Sequence, residues 1–213
     1  MIFHQHKCIF FHIGKTAGTS IEQMIAPGKR DPYITNRADM HGYDEALNIY
    51  LHHASCRTTR EIVDPKIFAD YFKFAIVRNP FTRMISAYFY LYNQNQELYG
   101  DFPDYVRRLP ELANHPEKLR GSHHIAQIHY THIDGEQIVD FVGKFEDLDT
   151  TIAELNDRLG LQATLPRVNT SRHQAYPEKD KRALYDDETI AIIRDVYKDD
   201  FETYGYDPDP PAR

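Results

Sequence analysis

Apolar positions are strung along the chain in short continuous runs separated by amphipathic stretches. The run from Cys8 to Ile13 has the length and character of a buried strand, and the first strand is placed at 7–13. It breaks at Gly14, and a helical pattern follows over 19–26 with Ile21, Met24 and Ile25 on one face. Phe72-Lys73-Phe74-Ala75-Ile76-Val77 is the second clear strand. It ends at Arg78-Asn79-Pro80, where Asn79 suits an N-cap and Pro80 the first helical position. The helix runs on to about Gln96, with Phe81, Ile85, Tyr88 and Tyr92 facing the core. A third strand is expected over 138–144, a helix over 147–159 closed by Gly160, and a last amphipathic helix over 187–201.

The intervening stretches are less regular. Residues 27–42 are rich in Pro, Gly, Asn and Asp and read as loop, 43–51 as a short helix, and 57–71 as one or two short helices. Residues 101–132 read as mainly helical and carry many histidines. Strands alternating with helices predict an α/β fold, a single domain over 1–206 with a central, mostly parallel sheet flanked by helices. Residues 207–213 form a Pro/Asp-rich tail expected to be extended or flexible.

Composition narrows the class without naming a function. The 213 residues suffice for one domain with a substantial core, and 41% hydrophobic with 27% charged residues is ordinary for a globular protein. A net charge of −7 argues against nucleic-acid binding through a wholly basic surface and leaves room for a local basic pocket. The cysteines, Cys8 and Cys56, give no disulfide framework, and Cys8 reads as a buried thiol. No run approaches the roughly 20 apolar residues of a membrane span, and the N-terminus lacks the pattern of a signal peptide, so a cytoplasmic location is expected.

The most informative stretch is Phe10-Phe11-His12-Ile13-Gly14-Lys15-Thr16-Ala17-Gly18-Thr19-Ser20. A strand, a loop of small residues and a helix start make an anion site, because the first amides of a helix are unpaired and its dipole favours negative charge. Lys15 adds a formal charge there. The register is not that of a nucleoside triphosphate loop, which needs a glycine five residues before its Gly-Lys pair. That position is Ile9, inside the strand. A second anchor comes from Arg78 at the end of the second strand, with Ser86 about two turns along the next helix. An arginine so placed can form a charge-assisted fork to a second phosphate. Ligands in such sheets sit at the C-terminal ends of strands, which puts Lys15 and Arg78 on one rim. Arg83 reads as a surface pair or a brace for its helix.

Residues 11–20, together with Phe74-Ala75-Ile76-Val77-Arg78-Asn79-Pro80-Phe81-Thr82-Arg83-Met84-Ile85-Ser86-Ala87-Tyr88, resemble the two nucleotide-binding motifs of the sulfotransferases. The likeness is to the group of heparan sulfate 2-O-sulfotransferases, chondroitin-type carbohydrate sulfotransferases and their bacterial relatives. Supporting stretches are Val142 to Leu148, Pro166 to Ser171 and Tyr197 to Tyr206. The resemblance implies a P-loop-like sulfotransferase fold and the donor 3′-phosphoadenosine 5′-phosphosulfate (PAPS), with adenosine 3′,5′-bisphosphate as product. It implies that Lys15, Thr16, Ala17, Gly18, Thr19 and Ser20 hold the 5′-phosphosulfate, that Arg78 and Ser86 hold the 3′-phosphate, and that Ser171 and Arg172 close over the cofactor. The acceptor it implies is a hydroxyl, on a carbohydrate.

Sulfuryl transfer needs an in-line arrangement, stabilisation of the leaving phosphate by Lys15 and the loop amides, and a base for the acceptor hydroxyl. The resemblance carries a functional histidine into Leu51-His52-His53-Ala54-Ser55, and His53 is the first candidate, with His52 as the alternative. His12 is a weaker candidate and Glu22 reads as a solvated helix residue. No metal is required, since lysine, arginine and amides supply the positive field. His123, His124, His129 and His132 cluster in sequence without a zinc motif, with His129 and His132 expected on one helix face, and His4 and His6 are expected on one strand face. Arg30, Arg37, Arg57, Arg60, Arg107 and Arg108 are candidates for a track toward an anionic acceptor. The competing readings are a P-loop kinase and a nucleotide-binding module without catalysis.

Overall fold

The computed structural model describes residues 1–28, 31–92, 100–113, 123–166 and 181–211. Its centre is a four-stranded sheet in the order β1 (Ile2–Phe3), β2 (Cys8–Phe11), β5 (Phe72–Val77), β8 (Phe141–Lys144). β1 runs antiparallel to β2, while β2–β5 and β5–β8 are parallel, with Phe10 opposite Phe74 and Ala75 opposite Val142. This is the expected α/β domain with a mostly parallel sheet.

Alternation along the strands sorts the core into two layers. Ile9, Phe11, Ala75 and Val77 face one side, against Leu51, Cys56, Phe68, Ile125 and Tyr130. That layer is covered by α2 (Cys56–Ile62) and α3 (Pro65–Asp70). Cys8, Phe10, Phe74 and Ile76 face the other side, against Ile21, Met24 and Ile25 of α1 (Gly18–Ile25) and Leu155 of a later helix, Leu148–Leu159. A third cluster joins α4 (Pro80–Tyr92) to helices Phe102–Arg107, Asp187–Val196 and Lys198–Tyr204 through Phe81, Met84, Tyr105, Ile193, Tyr197 and Phe201. Asn79 caps α4 as expected, accepting from the Phe81 amide at 3.0 Å. Both thiols are buried, and burial pushes each up to about 12.

Several expected elements come out differently. The helix expected at 43–51 is a hairpin of β3 (Tyr43–Asp44) and β4 (Ile49–Tyr50), because the Asp44 carboxylate accepts from the Ala46 and Leu47 amides and Asn48 turns with φ 56°. His4 and His6 lie in a 3₁₀ turn, not a strand. The 101–132 region holds helices Phe102–Arg107 and Leu109–Ala113 and then a 3₁₀ turn at Gln127–Tyr130. The hairpin β6 (His132–Ile133) and β7 (Glu136–Gln137) follows, and Asp134-Gly135 at φ 52° and 86° makes its tight turn. His129 and His132 therefore share no helix face. The last helix breaks at Tyr197 into two. The first residues of the tail are tied down: Arg194 donates to the Pro208 carbonyl and pairs with Asp209. The end of α4 expected at about Gln96 lies outside the described residues.

Arg83 is neither on the surface nor paired there. It is fully buried, and its Nε donates to the Gly14 carbonyl at 3.2 Å while Nη2 donates to the carbonyls of Ile125 at 2.8 Å and His123 at 3.2 Å. It thus ties α4 to the loop after β2 and to residues 123–125. Arg83→Ala leaves these buried acceptors unmet, and we expect a loss of roughly 3 kcal/mol or more in unfolding free energy by urea titration. A change below about 0.5 kcal/mol, the level of a surface substitution, contradicts the bracing role.

Candidate functional site

β2 and β5 are parallel neighbours, so the segments that leave their C-terminal ends emerge together. The contact is direct. Arg78 Nη1 donates to the Lys15 carbonyl at 3.1 Å, and its Nε donates to Thr82 Oγ1 at 3.0 Å. The guanidinium lies 4.1 Å from the centre of the Phe145 ring. Burial, moderated by nearby Glu146, lowers the Arg78 pKa to about 10. Its backbone is clamped by Gln127, which accepts from the Arg78 amide at 2.8 Å and donates to its carbonyl at 2.9 Å. Gln127 is held in turn by fully buried Asp200, which accepts from the Gln127 amide and side chain and from the Ile128 amide.

The loop between β2 and α1 has an unexpected distribution of conformations. Gly14 and Gly18 do not take the left-handed turns; Lys15 (φ 73°) and Ala17 (φ 68°) do. The glycines serve close approach. A Cβ on Gly18 would fall 1.9 Å from His12 Cδ2, and one on Gly14 would fall 2.6 Å from His123 Nδ1. The Thr16 side chain is buried and its hydroxyl donates to the Ile13 carbonyl at 2.9 Å, so its amide, not its hydroxyl, is what it has for a ligand. Ser20 and Ile21 are the first amides of α1 to find a carbonyl, that of Ala17. The Gly18 and Thr19 amides precede them at the positive end of the helix.

Lys15 is half-buried with its ammonium 3.9 Å from the centre of the Tyr90 ring. Burial, with Arg78 nearby, lowers its pKa to about 8. Among the described residues neither Lys15 nor Arg78 forms a salt bridge.

A group of histidines lines the same place. His53 Nδ1 lies 2.8 Å from the His12 carbonyl. A carbonyl only accepts, so Nδ1 carries the proton and Nε2 keeps its lone pair. Burial lowers the His53 pKa to about 4, against the opposing effect of that hydrogen bond, and the ring is neutral near pH 7. His53 is 4.5 Å from His12, 4.6 Å from His52 and 5.9 Å from His123, centre to centre. Burial first, then neighbouring histidines, also lowers the pKa values of His12, His52 and His123. His52 stacks on His41, whose Nε2 is 3.7 Å from a Glu22 carboxylate oxygen. Glu22 is therefore not a solvated helix residue; its side chain is 12% exposed.

Not every expected ligand is brought in. Ser86 is half-buried on α4, and among the described residues no hydrogen bond joins it to Arg78. Ser171 and Arg172 lie outside the described residues. Three of the six arginines of the expected track are engaged by carboxylates: Arg37 is bound to Asp44, Arg57 to Asp134 and Arg107 to Glu188 and Asp104. Arg30 lies outside the described residues. Among the described residues no group of His, Cys, Asp and Glu is arranged to hold a metal ion. Sequence reasoning missed Gln127, Asp200 and Tyr90, which carry no local signal because their contacts are made across the fold, and it named His123 only as one of a histidine cluster.

The sequence profile described as "Sulfotransferase family" matches residues 1–207, nearly the whole chain. The chain belongs to the sulfotransferase family. Sulfuryl transfer to an acceptor is thereby its general chemistry, and the α/β fold with its mostly parallel sheet is consistent with it. A protein described only as uncharacterised, from Archaeoglobus fulgidus, is 27% identical over 120 residues, covering 55% of this chain and 92% of the relative. No solved structure gives a significant match. Among the described residues no helix is long and apolar enough to cross a membrane.

Close approach of His12 to Gly18 makes a specific prediction. Gly18→Ala must push the His12 ring out of its stack with Phe10, where the ring centres are 5.5 Å apart. The expected cost is about 1–3 kcal/mol of stability, the usual scale of overpacking. Unchanged thermal or urea unfolding of Gly18→Ala contradicts the packing described.

Proposed function

We propose that this sulfotransferase moves a sulfuryl group from PAPS to a hydroxyl on a carbohydrate. The observation that carries the reading is the hydrogen bond from Arg78 to the Lys15 carbonyl, because it unites two cationic anchors on one rim. The residues present fit a ligand with two anionic ends. Neither Lys15 nor Arg78 forms a salt bridge among the described residues, α1 offers the Gly18 and Thr19 amides, and buried Nδ1 atoms of His12, His52 and His123 and Nη1 of Arg83 have no hydrogen-bond partner among the described residues.

When bound, PAPS supplies an activated sulfuryl group and a phosphate leaving group. Lys15, with the amides from Thr16 through Ser20, would hold the 5′ end and offset the charge that builds on the leaving oxygen. Arg78 would anchor the 3′-phosphate, with Ser86, Ser171 and Arg172 as further contributors. His53 would take the acceptor proton on Nε2, its tautomer fixed by the His12 carbonyl. His52 has no such hydrogen bond at its Nδ1 and is the weaker alternative. With its pKa lowered to about 8, Lys15 is still mainly an ammonium near pH 7, and an arriving anion favours that charged form further.

Transfer from PAPS, followed as release of adenosine 3′,5′-bisphosphate with a panel of neutral and sulfated oligosaccharides, tests the assignment. His53→Ala should lose roughly 100-fold or more in transfer and keep its affinity for the bisphosphate. Lys15→Ala should lose both. His53→Ala transferring at the wild-type rate removes His53 as base. The pH dependence of kcat/KM should fall below about pH 4, where His53 gains a proton, and above about pH 8, where Lys15 loses one. A profile with an acidic limb near 6.5, the unperturbed histidine value, contradicts the buried neutral base.

A further inference from the structure

Four large apolar side chains are conspicuously exposed among the described residues, and they are not scattered. Tyr33 (74% exposed), Ile34 (66%) and Leu47 (43%) belong to residues 31–50, and Tyr90 (39%) stands over Lys15. Single exposed apolar residues need no explanation, but a group at the edge of a reaction site does. The rings form a continuous path into that site. Tyr33 meets Tyr50 edge-on at 6.3 Å, Tyr50 lies 5.3 Å from both Tyr43 and His52, and His52 lies 4.6 Å from His53. From the other side Tyr90 meets His123 at 5.1 Å, and His123 is 5.9 Å from His53. The two series of rings meet at His53, which lies between His52 and His123.

The backbone holds this surface in place. The Tyr33 amide donates to Asp31 Oδ1 at 2.9 Å, Asn36 and His41 exchange backbone hydrogen bonds, and Thr35 donates to the Tyr43 carbonyl. Gly42, at φ 85°, lets the Ile34 carbonyl pack where a Cβ would come within 2.0 Å of it. The charge on this segment is acidic. Asp31, Asp39, Asp44 and Glu45 face one arginine, Arg37, which is committed to Asp44 by hydrogen bonds of 2.5 and 3.0 Å. Such a surface repels a polyanion and offers flat rings to an uncharged one.

We propose that Tyr33, Tyr50 and Tyr90 form the platform for the acceptor, and that the acceptor is an uncharged, hydroxyl-bearing ring with a flat hydrocarbon face. A pyranose presenting its C–H face and an aryl ring share that chemistry. The proposal rests on the sulfotransferase reading above and adds the substrate class.

The test uses the full chain saturated with adenosine 3′,5′-bisphosphate and follows ligand contact by saturation-transfer NMR with methyl β-D-glucopyranoside, 4-methylphenol and a heparin-derived tetrasaccharide. At least one neutral probe should bind, and which one responds distinguishes a sugar face from an aryl face. Tyr33 is exposed, so Tyr33→Ala should fold normally. It should weaken the neutral probe roughly 3–10-fold, Tyr33→Phe should retain it, and bisphosphate affinity should not move. The proposal is overturned if neither neutral probe binds, if Tyr33→Ala leaves neutral binding unchanged, or if the sulfated tetrasaccharide binds tighter than both. Failure of the wild-type chain to bind the bisphosphate strikes the sulfotransferase reading instead, so the two failures are distinct.

Discussion

Parallel pairing of β2 with β5 is the constraint on which the site depends. Two parallel neighbours deliver their C-terminal ends to the same edge, and here those ends lead into Lys15 and Arg78. Each cation is costly to desolvate, and burial lowers both pKa values accordingly. Among the described residues no carboxylate closes onto either of them in a salt bridge. Aromatic faces, a backbone carbonyl and a hydroxyl hold them, which leaves their charge available to an incoming anion.

A loop in this conformation does not hold itself. Two non-glycine residues at positive φ are each unfavourable, and the rest of the fold must impose them. Arg83 supplies one part, reaching from α4 to the Gly14 carbonyl. His12 and His123 supply another by packing where side chains on Gly18 and Gly14 would have been. The same two histidine rings pack beside His53, 4.5 and 5.9 Å away centre to centre, so the shape of the loop and the surroundings of His53 have a common origin. The Gln127–Asp200 clamp does for the Arg78 backbone what Arg83 does for Gly14.

Much of this was legible in the sequence where the signal is local. The two apolar runs, the lysine-first loop and the Asn79-Pro80 helix start all appear as read, since burial on both faces of a parallel strand leaves a continuous apolar run. The strands of residues 43–50 were missed because each has only two residues and the turn is built by the Asp44 side chain. The hairpin at 132–137 was masked by the histidines around it, although Asp134-Gly135 is a hairpin signal. Arg83 and Glu22 look like surface charges in one dimension; only tertiary packing turns them inward. The glycines were correctly placed at the loop, yet their purpose, close approach and not positive φ, is a property of His12 and His123.

The central claim is that Lys15 and Arg78 form a two-ended anion site that suits a 3′,5′-bisphosphate and not a triphosphate. Titration calorimetry without magnesium tests it most directly, comparing adenosine 3′,5′-bisphosphate with ATP. The account predicts binding of the bisphosphate in preference to ATP, weakened by Arg78→Ala, with proton uptake near pH 8 as the Lys15 ammonium is restored. Magnesium-dependent binding of ATP together with no binding of the bisphosphate contradicts it.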